Sequence, residues 1–363
     1  MGMDELPPTS AGALKGRGAI TNAVGRYEGH DRVAVDDGWS RDDEDLPPLR
    51  TTVTVDATRT IIARNDSPDL PFNQSINPYR GCEHGCVYCF ARPTHAYLGL
   101  SPGLDFETRL FAKPDAAKLL ERELRAPRYE CRMIAMGTNT DPYQPIERGM
   151  KVTRSILEVL SAYSHPVGIV TKSALVARDI DILAPMAARG LAQVFLSVTT
   201  LDPELARRME PRASAPRRRI ETIKALSDAG IPVGVMTAPM IPALNDKEME
   251  TILETAVAAG AEWAGYGVLR LPLEIKDLFR EWLEAHYPDK AKHVLNLIRD
   301  MRDGKLNNSE FGSRMRGNGA YAELLARRFA LAVKRLNLNR ERFRLDKTQF
   351  APPPRAGDQL SLL

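Results

Sequence analysis

The sequence has no long uncharged apolar run, few cysteines and almost no net charge, and each scarcity closes off a class of protein. A membrane-spanning helix needs about 18 or more consecutive apolar residues, and no such run occurs, so no membrane partner is expected. The start, Met1-Gly-Met-Asp-Glu-Leu-Pro-Pro8, lacks the basic and apolar regions of a secretory signal, and Gly2 is not followed by Ser or Thr at position 6, as a myristoyl anchor would require. A cytoplasmic protein is the expectation. Four cysteines in 363 residues, three of them within eight positions, do not make the framework of a small secreted disulfide domain, and ligation of a metal or cofactor is the better reading. A net charge of +3 is too small to imply a polyanionic partner by itself. No internal repeat of fixed period is present.

What is there begins with an arm. Residues 1–50 are rich in Gly, Pro and charge, as in Lys15-Gly-Arg-Gly18 and Arg41-Asp-Asp-Glu-Asp-Leu-Pro-Pro48, and are expected to be flexible or to order only against the main domain. Residues 51–72 read as a hairpin lead-in, with β-branched runs at 51–55 and 60–63. From residue 73 to 287 short apolar runs alternate with segments of helical periodicity. Strands are predicted at 76–80, 132–137, 167–171, 193–198, 233–238 and 263–269, with helices at 115–125, 149–163, 176–189, 216–229, 246–259 and 274–286. Six βα units in series predict an α/β fold with a parallel sheet, either an open doubly wound sheet or a partial (β/α) barrel. Residues 288–350 read as a helical C-terminal extension, with helices at 294–302 and 320–337, and 351–363 as a Pro-rich tail.

The chemistry concentrates in Asn77-Pro-Tyr-Arg-Gly-Cys82-Glu-His-Gly-Cys86-Val-Tyr-Cys89. Three thiolates on so short a loop can converge on one inorganic centre, and thiolates are the usual ligands of iron–sulfur clusters. Cys82, Cys86 and Cys89 would leave one iron of a four-iron cube open to a small molecule. The competing reading is zinc with His84 or His95 as fourth ligand, although Cys-x3-Cys-x2-Cys is not a common zinc spacing. Cys131 stands alone at the head of an apolar strand and reads as a buried small hydrophobe.

This spacing, with Tyr88 before the third cysteine, resembles the signature of the radical S-adenosylmethionine (SAM) superfamily. The resemblance implies a partial (β/α)6 barrel of the TIM type with the cluster loop after the first strand, a [4Fe-4S] cluster, and SAM cleaved to a 5′-deoxyadenosyl radical that abstracts hydrogen from substrate. It also implies an external electron donor, since no second cluster motif occurs. Ligands of parallel barrels lie at the carboxyl ends of the strands, which makes Tyr88, Thr138, Thr140, Asp141, Lys172, Ser197 and Thr199 the candidates for holding SAM. The stretch Thr237-Ala-Pro-Met-Ile-Pro-Ala-Leu-Asn-Asp246 at the end of strand five could border the adenine.

A narrower likeness spans residues 73–270. The strings Thr138-Asn-Thr-Asp-Pro-Tyr-Gln-Pro-Ile-Glu147, Thr171-Lys-Ser173 and Met240-Ile-Pro-Ala-Leu-Asn-Asp246 look like the spore photoproduct lyase-related branch, called DNA repair photolyases. That resemblance places Thr140, Lys172 and Ser197 at the SAM carboxylate and amino group. It also sets a departure: where the lyase carries a hydrogen-donating cysteine near the end of strand two, this chain has Thr138 and Asn139, so direct splitting of a thymine dimer is doubtful.

A nucleic-acid partner is suggested by two basic stretches. Arg207–Arg219 holds six arginines against one glutamate, and residues 305–347 hold eleven Lys or Arg against four acids, with Phe311, Tyr321, Phe329 and Phe343 interspersed. Either could equally be a solvated helix face, and Phe329 reads as core. The terminal Gln359-Leu-Ser-Leu-Leu363 resembles the bacterial sliding-clamp-binding peptide with Leu363 in place of an aromatic. The leading expectation is a radical SAM enzyme acting on nucleic acid, such as a DNA lesion. The alternatives are a radical SAM enzyme with a protein or small-molecule substrate, and a non-catalytic metal-stabilised nucleic-acid or clamp adaptor.

Overall fold

The structure, a computed structural model, describes residues 15–28, 49–341 and 344–354. The clamp-like peptide Gln359–Leu363 and most of the N-terminal arm lie outside the described residues. The described residues form ten strands: β1 (Thr52–Val55), β2 (Ile62–Arg64), β3 (Gln74–Ile76), β4 (Tyr79–Arg80), β5 (Arg109–Ala112), β6 (Ile134–Met136), β7 (Val167–Thr171), β8 (Ala192–Ser197), β9 (Val233–Met240) and β10 (Trp263–Val268).

Seven of them form one sheet in the order β10-β9-β8-β7-β6-β3-β2. β3, β6, β7, β8, β9 and β10 run parallel, each beside its neighbour in sequence, and β2 closes the edge antiparallel to β3. This is the partial (β/α)6 barrel. Apolar side chains on both faces explain why these strands read as near-continuous hydrophobic runs: β7 is Val-Gly-Ile-Val-Thr, with Val167 and Ile169 buried. Helices Val152–Ala162, Pro216–Asp228 and Met249–Ala258 cover the outside, burying Ile156, Ile223 and Ile252.

Two expectations change. The run expected as one strand at 76–80 is split, because Pro78 cannot donate to a sheet ladder; β3 stops at Ile76 and β4 turns into a second sheet of order β1-β5-β4. The lead-in at 51–72 is not a hairpin. β1 pairs parallel with β5, and β2 pairs with β3, so the two β-branched runs join different sheets. β5 itself gave no sequence signal beyond the three-residue apolar stretch Leu110–Ala112. The described part of the arm takes the second of its two expected forms and orders against the domain: Arg17, Gly18, Ala19 and Ile20 are buried.

The C-terminal extension contributes helices Pro288–Asp300 and Gly319–Arg335. Phe329, partly buried, packs against the core on Tyr266 of β10 with ring centroids 4.6 Å apart. Between the helices, residues 302–318 cross the end of β10, where Val268 N–H donates to Met315 O at 3.0 Å. No helix among the described residues is long and apolar enough to cross a membrane.

Candidate functional site

The loop after β4 carries Cys82, Cys86 and Cys89, and its shape is dictated by backbone that only glycine takes easily. Gly81 (φ 74°) and Gly85 (φ 66°) both lie in the left-handed region. Gly81 also has no room for a side chain: a Cβ there would meet Phe106 O at 2.9 Å. The loop is pinned by Cys82 N–H to Phe106 O (2.9 Å) and Val87 N–H to Met209 O (3.1 Å).

Behind the loop, fully buried Arg92 donates to Cys86 O (2.9 Å) and Gly85 O (3.1 Å) and pairs with buried Glu107. Glu107 also accepts the N–H groups of Gly18 (3.0 Å) and Ala19 (2.8 Å). The N-terminal segment therefore lies as a strap on the back of the cysteine loop. Gly18 fits there because it has no side chain, since a Cβ would fall 1.7 Å from Gly85 O.

In front of the loop is a cavity of about 240 Å³. The three cysteines line it together with His84, Tyr88 and Phe90 from the same loop, Asn139 and Asp141 after β6, Thr171 and Lys172 at β7, Ser197 of β8, Met236 of β9, and Val268, Leu269 and Arg270 at β10. This is the carboxyl end of the sheet, as parallel barrels require. Of the sequence candidates, Tyr88, Asp141, Lys172 and Ser197 reach the cavity with the cysteines.

Thr138, Thr140 and Thr199 do not line it. The Thr140 hydroxyl donates to Tyr79 O at 2.9 Å, and that of Thr199 to Glu210 at 2.9 Å, so these two brace loops instead of facing a ligand. Asp141 faces the cavity but its oxygens are occupied: they accept from Thr171 Oγ1 (2.7 Å), Lys172 N–H (2.8 Å) and Tyr143 N–H (2.9 Å), and His84 Nδ1 lies 3.4 Å away. Burial pushes this carboxyl upward, yet His84 and the donated hydrogen bonds outweigh it and hold it at about 2. Asp141 thus ties the loops after β6 and β7 to the cysteine loop.

Two polar groups in the cavity keep unused capacity. Among the described residues, neither Lys172 Nζ nor Ser197 Oγ has a hydrogen bond or ion pair. Lys172 Nζ stands 5.7 Å from the centre of the Tyr88 ring. Burial works against its charge, but Cys86 and Glu210 outweigh that and raise its pKa. The Tyr88 hydroxyl donates to buried Glu210, which is paired with buried Arg219. Burial drives the Cys82 and Cys86 thiols upward, Cys86 to about 12, so these two need a cation to ionise.

The donor set suits a cluster better than one ion. A tetrahedral zinc holds its donors about 2.3 Å or less from a single point. Among the described residues no three His, Cys, Asp or Glu side chains converge that way. Three cysteines lining one cavity fit a group in which each thiolate binds a different iron. His95, the other zinc candidate, is turned away, with Nε2 2.9 Å from Arg109 O and its ring against Phe106.

Sequence reasoning missed Phe90, Asn139, Met236 and Arg270 in the cavity, although Arg270 follows a strand end and Phe90 follows Cys89. Most arginines of the run 207–219, read as either phosphate contacts or a solvated helix face, are paired with acids. Arg219 is buried on Glu210, Arg212 pairs with Glu83, Arg208 with Glu204, and Arg217 and Arg218 with Glu221.

The family model of the radical SAM superfamily matches residues 76–256. An uncharacterised protein of Mycobacterium tuberculosis is 38% identical over 232 residues, covering 63% of this chain and 68% of that protein. One from Methanocaldococcus jannaschii is 28% identical over 221 residues, covering 61% of this chain and 79% of the relative. Among solved structures, a spore photoproduct lyase mutant with bound AdoMet and dinucleoside spore photoproduct aligns with a TM-score of 0.54 at 18% identity, over 78% of each chain, a likeness of fold. With the cysteine spacing, the barrel and the family match in agreement, the chain belongs to the radical SAM superfamily, enzymes that work with a [4Fe-4S] cluster and SAM.

Proposed function

We propose that Cys82, Cys86 and Cys89 each bind one iron of the cluster, that Lys172 and Ser197 hold the charged amino-acid end of SAM, and that the enzyme abstracts hydrogen from a nucleic acid, in repair or modification of a damaged base. The observation that carries this reading is the single cavity that brings the three thiols together with an unpaired ammonium and an unpaired hydroxyl. When bound, the reduced cluster and SAM supply one-electron chemistry that removes a hydrogen atom from substrate.

The chain's own residues do the positioning. Arg219 holds Glu210, Glu210 holds the Tyr88 hydroxyl, and the Tyr88 ring keeps Lys172 over the cavity, where its charge suits the SAM carboxylate. Met236, Val268 and Leu269 give an apolar wall that suits the adenine and excludes water. Cys131, expected to be buried, is half-buried just before β6 and outside the cavity lining. Beyond the trio, no cysteine among the described residues reaches the cavity, which favours a reaction in which a group other than a thiol returns hydrogen. Enzymes of this superfamily need an electron donor, and an external one fits a chain with a single cluster motif.

Anaerobic reconstitution with iron and sulfide, reduction and an assay for 5′-deoxyadenosine test the chemistry. SAM cleavage by the wild type and none by Cys86→Ala, which should fold but not load iron, are expected; no cleavage by a four-iron wild-type protein overturns the reading. Deuterium passing from labelled damaged DNA into 5′-deoxyadenosine supports the nucleic-acid substrate. Transfer from a peptide or metabolite instead would assign the substrate elsewhere.

A further inference from the structure

The mouth of the cavity carries two arginines, Arg270 and Arg302, to which no acid among the described residues is bonded. Arg270 lines the cavity just past β10 and, among the described residues, has no hydrogen bond or ion pair; its guanidinium carbon lies 4.9 Å from the centre of the Phe90 ring. Phe90 also lines the cavity and is 47% exposed, so the pair sits where the cavity meets solvent. Beneath it Arg302 is buried and donates only to carbonyls: Val268 O (3.4 Å), Leu269 O (2.8 Å), Ser313 O (3.2 Å) and Arg314 O (2.8 Å). Its Nε has no partner.

A second pair repeats the first on the adjoining loop. Arg314 lies 4.6 Å from the centre of the Phe311 ring, which is 61% exposed. Arg314 is bonded to Asp69, which with Asp303 supplies the nearby acid, and exposed Arg316 follows it. Burial and the charge of Arg314 both work against Arg270 keeping its proton. An anion arriving at Arg270 would relieve that repulsion.

Resting on the nucleic-acid reading above, we propose that Arg270 and Phe90 form a nucleotide subsite at the mouth: Arg270 takes a backbone phosphate and Phe90 stacks on a base of a single-stranded or flipped-out segment. Arg314 and Phe311 continue the track for the neighbouring nucleotide. Alternating cations and flat rings match a strand that alternates phosphates and bases. An acidic peptide would use the guanidinium groups and leave both rings idle. A base pair within a duplex could not present a ring face to Phe90 without leaving its stack.

The test is fluorescence anisotropy of the cluster-loaded full chain with a labelled single-stranded DNA 12-mer across a salt series. Arg270→Gln should weaken binding about tenfold and reduce the salt slope by about 1. Phe90→Leu should weaken it about 5- to 100-fold, and should have no effect on an abasic 12-mer. Because Phe90 adjoins Cys89, Phe311→Ala provides a check independent of iron loading, with a loss in the same direction.

Wild-type binding of the 12-mer, left unchanged in Arg270→Gln and Phe311→Ala, overturns the subsite while the nucleic-acid reading stands. No wild-type binding to single-stranded, duplex or damaged DNA overturns both. Poly-glutamate binding as tightly as the 12-mer, with the same loss in Arg270→Gln and none in the phenylalanine variants, assigns the mouth to acidic peptides and overturns the proposal.

Discussion

The back of the cysteine loop and the mouth of the cavity are both rich in arginine, yet they treat charge in opposite ways. At the back, Arg92 and Glu107 are sealed from water and their hydrogen-bonding capacity is used on each other, on loop carbonyls and on the N-terminal strap. At the mouth, Arg270 faces solvent and the cavity with no acid bonded to it, and Arg302 holds only carbonyls. A buried pair that is complete fixes a loop, and removing one partner leaves an uncompensated charge. A cation left incomplete at the edge of a cavity contributes little to folding and remains available for binding. The same residue type is thus used for rigidity in one place and for recognition in the other.

This contrast can be broken most sharply at Glu107. Glu107→Ala strands Arg92 and frees the strap, so a loss of about 3–5 kcal/mol is expected in chemical denaturation, with iron per chain reduced after reconstitution. A stability near wild type would mean that the back of the loop is no more committed than the mouth.

The amino end of the barrel offers a charge-free control. His165 Nδ1–H donates to Pro166 O (3.0 Å), and its Nε2 lies 2.7 Å from the Tyr129 hydroxyl, which itself donates to Gln74 Oε1 (3.0 Å). Burial lowers its pKa from 6.5 to about 4. Between those values the unfolded chain binds the proton and the folded one does not, so this histidine's contribution is intact above about pH 6.5 and is lost as pH falls toward 4. The expected loss is on the order of 3 kcal/mol, read as a steeper fall in denaturation midpoint over that range for the wild type than for His165→Gln. Equal slopes would remove His165 as the cause.

Gly18→Val tests the strap without deleting a charge. Its side chain would collide with Gly85 O, and a cost of about 1–3 kcal/mol with faster bleaching of the cluster's visible absorption in air is expected. Unchanged stability and bleaching would show that the strap does not shield the loop. Arg270→Gln should have the smallest effect, within about 0.5 kcal/mol of wild type, because no hydrogen bond or ion pair among the described residues is lost. A larger loss would make the mouth structural.

How much of this could be read in advance differed by residue. Cys82, Cys86, Cys89 and Tyr88 were legible because a loop keeps close in space what is close in sequence. Lys172 and Ser197 were legible because the carboxyl end of a parallel strand points at the site whatever the side chain. Thr138, Thr140 and Thr199 follow the same rule and fail it, because which way a loop residue faces depends on partners such as Tyr79 O and Glu210. Glu210 stands in a run that reads as a basic surface, and only the fold turns Arg219 inward to meet it.

The amino-acid sequence alone determined the order of βα units, the cysteine loop and hence the superfamily, because periodicity and short spacings are local properties. Tertiary structure decided that β1 joins β5, that residues 17–20 seal the back of the cysteine loop, and that no acid among the described residues bonds Arg270 while Glu210 pairs with Arg219. Those outcomes depend on contacts between segments far apart in the chain, where burial sets whether a charge must be paired, and no local pattern encodes which partner arrives.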